Sequence, residues 1–131
     1  MTEPGEVIFS ILRDNAGVGA LIDNRIYPAP APDEIVVPFA TYEIISNEPH
    51  DTKTGVSFLD RFRVQVDCWA KDASEAASIS AAIRTALDRY TPGLVGTANV
   101  DGIRYENERT DYDSDTKLRR KSVDYFLRIK Y

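Results

Sequence analysis

His50 and Asp51 come nearest, among the residues of this chain, to an acid/base pair. Consecutive residues rarely point at one site, and the polar segment 47–57 around them offers no nucleophile that such a pair could activate. We therefore expect no catalytic residue here, and a pocket grouping His50 with two acids would be needed to change that view.

Cys68 is the only cysteine, and His50 is the only histidine. A disulfide within the chain is excluded, and a zinc site would lack its usual ligands. Cys68 falls on the apolar face of a predicted strand, which favours a small buried hydrophobe with a raised pKa over a nucleophile.

A run of acids late in the chain has the oxygen ligands that calcium or magnesium would need. The run DYDSDTKLRRK lacks the turn glycine and the terminal glutamate of an EF-hand loop, so we predict a solvated loop and no metal. The basic residues 117–121 follow so closely that their field is largely offset by these acids. The acids are Glu106, Glu108, Asp111, Asp113 and Asp115.

The two glycines at Gly17 and Gly19 complete no phosphate-binding fingerprint, because GVGALID follows no convincing strand. No cofactor is expected. With 131 residues and a net charge of −5, the chain fits one soluble domain over 1–131 that lacks general affinity for nucleic acid. No apolar run is long enough to span a bilayer, and the opening residues have the wrong charge order for a secretory signal.

The first elements are predicted from apolar spacing. Val7, Ile8, Ile11 and Leu12 form one stripe on a short helix that can start near Pro4, and a second short turn follows before the broken helix ends ahead of residue 25. Residues 25–27 suggest a short strand, and three prolines make the next segment an extended surface strap. Residues 36–46 read as a strand with apolar side chains on both faces, followed by a mobile loop over 47–57.

The clearest signal lies in residues 61–90. Alternation predicts a strand whose core face carries Phe62, Val64, Val66 and Cys68, with Arg61, Arg63, Gln65, Asp67 and Trp69 opposite. A long helix follows, capped by Asp72 with Glu75 in a capping-box pattern, and Thr91-Pro92-Gly93 ends it. Its predicted core residues are Ala76, Ile79, Ile83, Leu87 and Tyr90.

Two further strands complete the predicted fold. One contains Val100, Ile103 and Tyr105, with a bulge at Gly102, and the closing strand begins near residue 122. The fold class is α+β: an antiparallel or mixed sheet of four to five strands, with one long helix and a short N-terminal helix on one face. The core face of the closing strand carries Val123, Tyr125, Leu127, Ile129 and Tyr131.

Trp69 and Phe126 fall on the otherwise polar faces of their strands. Exposed aromatic residues can mark a partner surface. The early helix or the proline strap could equally cover them, since single exposed apolar residues are common. The residues alone leave both interpretations open.

Four segments together resemble the tail terminator, or tail completion, proteins of long-tailed, siphophage-like phages and prophages. They are RIYP at 25–28, VPFATYEIIS at 37–46, FRVQVDCWAKDASEAASISAAIRTAL at 62–87 and VDYFLRIKY at 123–131. The resemblance covers nearly the whole chain and includes no invariant chemical signature.

The resemblance implies a structural protein without catalysis or cofactors. Such proteins form a ring, usually of six subunits, at the head-proximal end of the tail tube, where they stop its polymerisation and provide the surface that joins the capsid. The implied partners are further copies of the chain, the tail tube protein and the head-tail connector protein, while DNA passes without specific binding and no membrane is involved. The implied location is the virion tail, after synthesis in the host cytoplasm.

Facing and exposure suggest which residues would contact other subunits or partners. The candidate interface residues are Arg61, Arg63, Trp69, Phe126, Arg119 and Arg120.

The residues themselves also allow other functions. The chain could be another neck or connector component, a small host enzyme or nucleotide-binding domain, or a monomeric adaptor that binds through its proline strap.

Overall fold

The structure is a computed structural model that describes residues 2–52 and 55–130, with the side chains of 2–48 and 59–130. Along the chain, two helices are followed by three strands, a third helix and three further strands. In order they are α1 (Pro4–Arg13), α2 (Ala16–Ile22), β1 (Ile26–Pro28), β2 (Phe39–Thr52), β3 (Gly55–Ala70), α3 (Ala73–Leu87), β4 (Gly93–Val95), β5 (Ala98–Asp113) and β6 (Leu118–Lys130).

The strands form one mixed sheet in the order β1-β2-β3-β6-β5-β4. Only β1 runs parallel to its neighbour; the other described pairs are antiparallel. The predicted α+β class is confirmed, but the predicted count is wrong, because the described residues contain six strands and three helices. The strand that we missed, β4, has three residues and follows a proline, so it is too short to show alternation.

The three helices cover one face of the sheet, and the core lies between them and alternate residues of the strands. The predicted core faces of β3 and β6 are confirmed, except that Tyr131 lies outside the described residues. On α3 the predicted stripe is confirmed, with Tyr90 partly buried beyond its end. Each large apolar side chain buried there contributes about 2 kcal/mol through removal of its surface from water.

Each helix begins where its sequence signal predicts. α1 starts at Pro4, which costs no hydrogen bond in a first turn. The Asn15 side chain accepts a hydrogen bond from the amide of Val18 at 3.0 Å, so α2 begins as a separate helix. The Asp72 carboxylate accepts one from the amide of Glu75 at 2.7 Å, which confirms the cap of α3.

The two segments that we predicted as charged loops are instead arms of long hairpins. β2 continues to Thr52 and is paired with β3 from Gly55, while β5 continues to Asp113 and is paired with β6 from Leu118. Opposite charges face each other across these strands, which favours pairing where apolar alternation is weak. The contacts are Arg61–Glu48 at 2.6 Å, Arg120–Asp111 at 2.6 Å and Lys121–Glu108 at 3.4 Å.

The two hairpins point in opposite directions. β3 is paired with β6 from Leu59–Lys130 at one end to Ala70–Arg119 at the other. The β2–β3 hairpin therefore continues past the first end, to the Thr52–Gly55 pair, and the β5–β6 turn lies beyond the second. The Thr52–Gly55 pair and the β5–β6 turn are separated by the length of the sheet.

The predicted bulge in β5 is confirmed, because the register with β6 shifts between Val100 and Gly102. The Arg128 guanidinium packs over Gly102, where a Cβ would meet its Nη2 at 2.8 Å. A second shift lies between Tyr105 and Asn107, and there the Tyr105 amide donates to the Asp88 carboxylate at 2.9 Å. Among residues 2–52 and 55–130, no helix has both the length and the apolar character needed to cross a membrane.

Candidate subunit and partner interface

The sheet face that lies away from the helices, here called the outer face, carries five of the six predicted interface residues. Arg61, Arg63 and Trp69 alternate along β3, with Phe126 and Arg120 on β6. Arg119 is different: it pairs in register with Ala70, a core residue, and therefore lies on the opposite face. Its guanidinium lies 4.8 Å from the ring centroid of Tyr112.

Phe126 is the centre of a cationic patch. The guanidinium carbons of Arg61 and Arg63 lie 4.3 and 5.1 Å from its ring centroid. Arg104 is its register partner on β5 and is exposed. Each guanidinium over the ring contributes about 0.5–1 kcal/mol at such an exposed site. We define the cationic patch as Arg61, Arg63, Arg104 and Phe126.

A polar network separates this patch from the far end of the outer face. Asp124 is 7% exposed, and its Oδ2 lies 3.6 Å from both Arg63 and Arg109. Arg109 in turn donates to the Gln65 side-chain oxygen at 2.9 Å, and the Gln65 amide donates to Asp67 at 3.0 Å. Through Asp124 this network holds Arg63 of the patch side in place.

Trp69 lies beyond that network and is partly buried. Its ring stacks on Phe39, with centroids 5.9 Å apart and an interplanar angle of 13°. Its indole nitrogen donates to the Thr41 hydroxyl at 3.2 Å, and the Arg120 guanidinium lies 5.4 Å from its ring centroid. Sequence reasoning missed Phe39, because only the register of β2 on β3 places it beside Trp69.

The proline strap, residues 29–37, runs alongside these rings and leaves a groove of about 630 Å³. Both ends of the strap are held by hydrogen bonds: the Ala29 amide donates to the Tyr42 carbonyl at 2.9 Å, and Arg25 Nε donates to the Pro38 carbonyl at 2.8 Å. The strap and the Trp69 surface are therefore parts of one feature. We call it the aromatic groove, lined by the strap and by Phe39, Thr41, Glu43, Gln65, Asp67, Trp69, Asp113, Thr116, Leu118 and Arg120.

The aromatic groove is acidic. Its only lining cation among the described residues, Arg120, is held by Asp111 at 2.6 Å, and this hydrogen bond raises the pKa of Arg120 further. The patch end keeps an excess of positive charge after its Arg61–Glu48 and Arg63–Asp124 ion pairs, whereas the groove end is acidic. The lining carboxylates are Asp33, Glu34, Glu43, Asp67 and Asp113.

The residues that could do chemistry lie elsewhere. Cys68 is 1% exposed on the helix-facing side of β3, and burial raises its pKa to about 12, so its thiol is protonated as we predicted. His50 and Asp51 belong to β2, but their side chains lie outside the described residues. In the part of the chain that the structure describes, no three His, Cys, Asp or Glu side chains form a group able to hold a metal.

Comparison with known proteins gives a consistent result. The family model of tail completion protein gp17 matches residues 6–130. Among solved structures, a chain from the virion of a native gene transfer agent particle has a similar fold, with a TM-score of 0.74 and 20% identity over 95% of this chain and 92% of that one. A search of curated proteins found no match. Because the family match spans almost the whole sequence, the chain belongs to the tail completion protein family and is a structural protein of the virion tail.

Proposed function

We propose that the protein forms a ring on the end of the completed tail tube, stops tube growth there and provides the surface to which the capsid joins. The family match over residues 6–130 is the observation that carries this proposal. By analogy with the family we propose six subunits. The ring is closed by one interface repeated between neighbours, so each subunit must present two different surfaces.

Two opposite sides of the sheet are suited to that repeated contact. At one side, the three residues of β1, Ile26–Pro28, pair with β2, and β2 continues for ten residues past that pairing. At the other side, β4 pairs with β5 only up to Val100, and β5 continues to Asp113. Strand edges that continue past their neighbours present backbone donors and acceptors to another chain. We propose that neighbouring subunits meet along these two sides.

The outer face is then available for the other tail components. We propose that the cationic patch contacts an acidic surface of the tube or connector protein, with Arg61 and Arg63 held in place by Glu48 and Asp124. Charge at the rim of such a contact chiefly sets orientation and association rate. The chain's net charge of −5 is compatible with a channel through which DNA passes without binding.

The test is electron microscopy of tails assembled without a terminator and then mixed with the purified protein. We expect tubes of uniform length that become able to join capsids. Tubes that stay overlong at all salt concentrations tested would contradict the proposal. If the protein bound capsids but left the tubes overlong, the role would be that of another neck component.

A further inference from the structure

We propose that the aromatic groove is a docking site for a short arginine-containing segment of another virion protein. The groove lies on the outer face, at the opposite end from the cationic patch, and is bounded by the strap and the stacked rings of Phe39 and Trp69. Its volume of about 630 Å³ lies within the range of protein binding clefts.

The floor of the groove suits a planar cation. The partly buried indole of Trp69 stacks on Phe39, and the hydrogen bond to Thr41 fixes its orientation. The Arg120 guanidinium lies 5.4 Å from the same ring centroid, so a guanidinium from the chain itself already occupies this surface. A ligand guanidinium would bind the carboxylates beside it in a bidentate way, which ammonium groups do not. This combination of groups favours arginine over lysine.

Within the described part of the chain, three carboxylates at the rim of the groove lack the positively charged partner that an arginine ligand would supply. Asp33, Glu34 and Glu43 are exposed, and among the described ion pairs none of the three has a cationic partner. Asp67 is 8% exposed and is paired with the neutral Gln65 amide. Arg120 is already held by Asp111. A nucleic acid would be repelled here, whereas an arginine segment would neutralise the carboxylates.

The groove is also preformed, that is, present before any ligand binds. The hydrogen bonds at Ala29 and at Arg25 hold both ends of the strap against the sheet. A ligand would therefore order little of the protein on binding, which lowers the entropic cost of association. That the segment comes from the tube or connector protein rests on the function proposed above, but the binding chemistry does not.

Trp69 makes the test direct, because it is the only tryptophan of the chain and lies in the groove. The probe is a panel of eight-residue peptides in which arginine alternates with leucine, proline or tyrosine, with matched peptides carrying glutamate for arginine. For the leucine and proline peptides the readout is Trp69 emission; for the tyrosine peptides it is anisotropy of an attached dye. We expect saturable binding of at least one arginine peptide, weakened by salt, and none of its glutamate counterpart.

The groove variant is Asp33→Asn with Glu34→Gln and Glu43→Gln, and the control variant is Glu3→Gln with Glu6→Gln and Glu106→Gln, which makes the same charge change outside the groove. Neutralising three exposed carboxylates should weaken binding about tenfold, with the control unchanged. No binding by any arginine peptide, or equal weakening in both variants, would overturn the proposal. Self-association that only the groove variant abolishes would overturn it too, by assigning the groove to a second copy of the chain.

Failure of the docking proposal and failure of the terminator proposal are separable. Peptide binding is measured on the isolated chain, while termination is measured as tube length. Uniform tubes without peptide binding would reject the docking site alone. Peptide binding with overlong tubes would retain the docking site and reject the terminator role.

Discussion

The indole of Trp69 and the ring of Phe39 lie nearly parallel, 13° apart, on adjacent antiparallel strands. Phe39 is 6% exposed, although it lies on the sheet face that carries the charged side chains. The stack explains why an aromatic residue is present on a nominally polar face. It also joins β2 and β3 into one surface, beside which the strap lies.

Phe39→Ala should lower the free energy of unfolding by about 3 kcal/mol, because the variant loses both buried area and the stacked ring. The native emission of Trp69 should shift to longer wavelength as water reaches the indole. Urea unfolding followed by circular dichroism measures the first effect. Leu94→Ala is the control, since Leu94 is 72% exposed and its loss should change stability by less than about 0.5 kcal/mol. Equal losses in the two variants would contradict the assigned burial of Phe39.

Asp72→Ala should destabilise the protein by about 1 kcal/mol, because the Glu75 amide loses its capping acceptor. Asp72→Ser restores an acceptor and should recover most of the loss. Thermal unfolding of the two variants measures the difference. A serine variant as unstable as the alanine variant would show that the cap contributes little.

Ellman's reagent should not react with Cys68 at pH 8 in the folded protein and should react fully after unfolding in urea. The thiol is buried, and its raised pKa of about 12 leaves almost no thiolate at that pH. Rapid labelling of the folded chain would place Cys68 outside the core.

The same raised pKa predicts how stability depends on pH. The stabilising contribution of the neutral thiol is complete below its ordinary pKa of 9.0 and is lost as pH rises towards about 12, because the unfolded chain releases its proton first. Unfolding free energy should therefore fall over this range, and less steeply in Cys68→Ala. Tyr125, whose pKa burial also raises, should maintain part of the fall in that variant. Identical pH slopes with and without the thiol would contradict this account.

Arg61→Glu should reduce joining of tails to capsids at least tenfold while changing stability by no more than about 1 kcal/mol, because exposed ion pairs contribute little to folding. Arg61 is half-exposed at the cationic patch. Arg13→Glu reverses an exposed charge on α1 and is the matched control. Counting joined particles by microscopy measures the effect. Equal joining by both variants would remove the patch from the list of partner surfaces.

The sequence predicted those elements in which apolar periodicity and local signals agree. Alternation in β3 and the cap at Asp72 were sufficient because each acts over a few residues. The hairpin arms were missed because both of their faces are polar, so pairing there depends on charges brought together from distant positions, such as Asp111 and Arg120. Propensity in such segments is overridden by cross-strand contacts.

The candidate interface shows the same division. Phe126 and its two arginines could be placed on one face from the alternation of β3 and β6. The groove was predicted only in part. The strap was one of two segments expected to cover Trp69, and it does lie beside that ring, but the stack of Phe39 on Trp69 depends on a register that the sequence does not show. Arg119 and Arg120, both named as candidates, lie on opposite faces of the sheet, as neighbours in a strand do.

The two opposed hairpins give every subunit two different ends. Since one hairpin extends past each end of the β3–β6 pairing, a small epitope inserted after Ser114 would label only one end of the molecule, the end near the aromatic groove. In a ring whose strands run along the tube axis, an antibody to that epitope would bind either the tube side or the capsid side, but not both. Low-resolution images of antibody-labelled tails would then show which end of the subunit faces the tube and which faces the capsid.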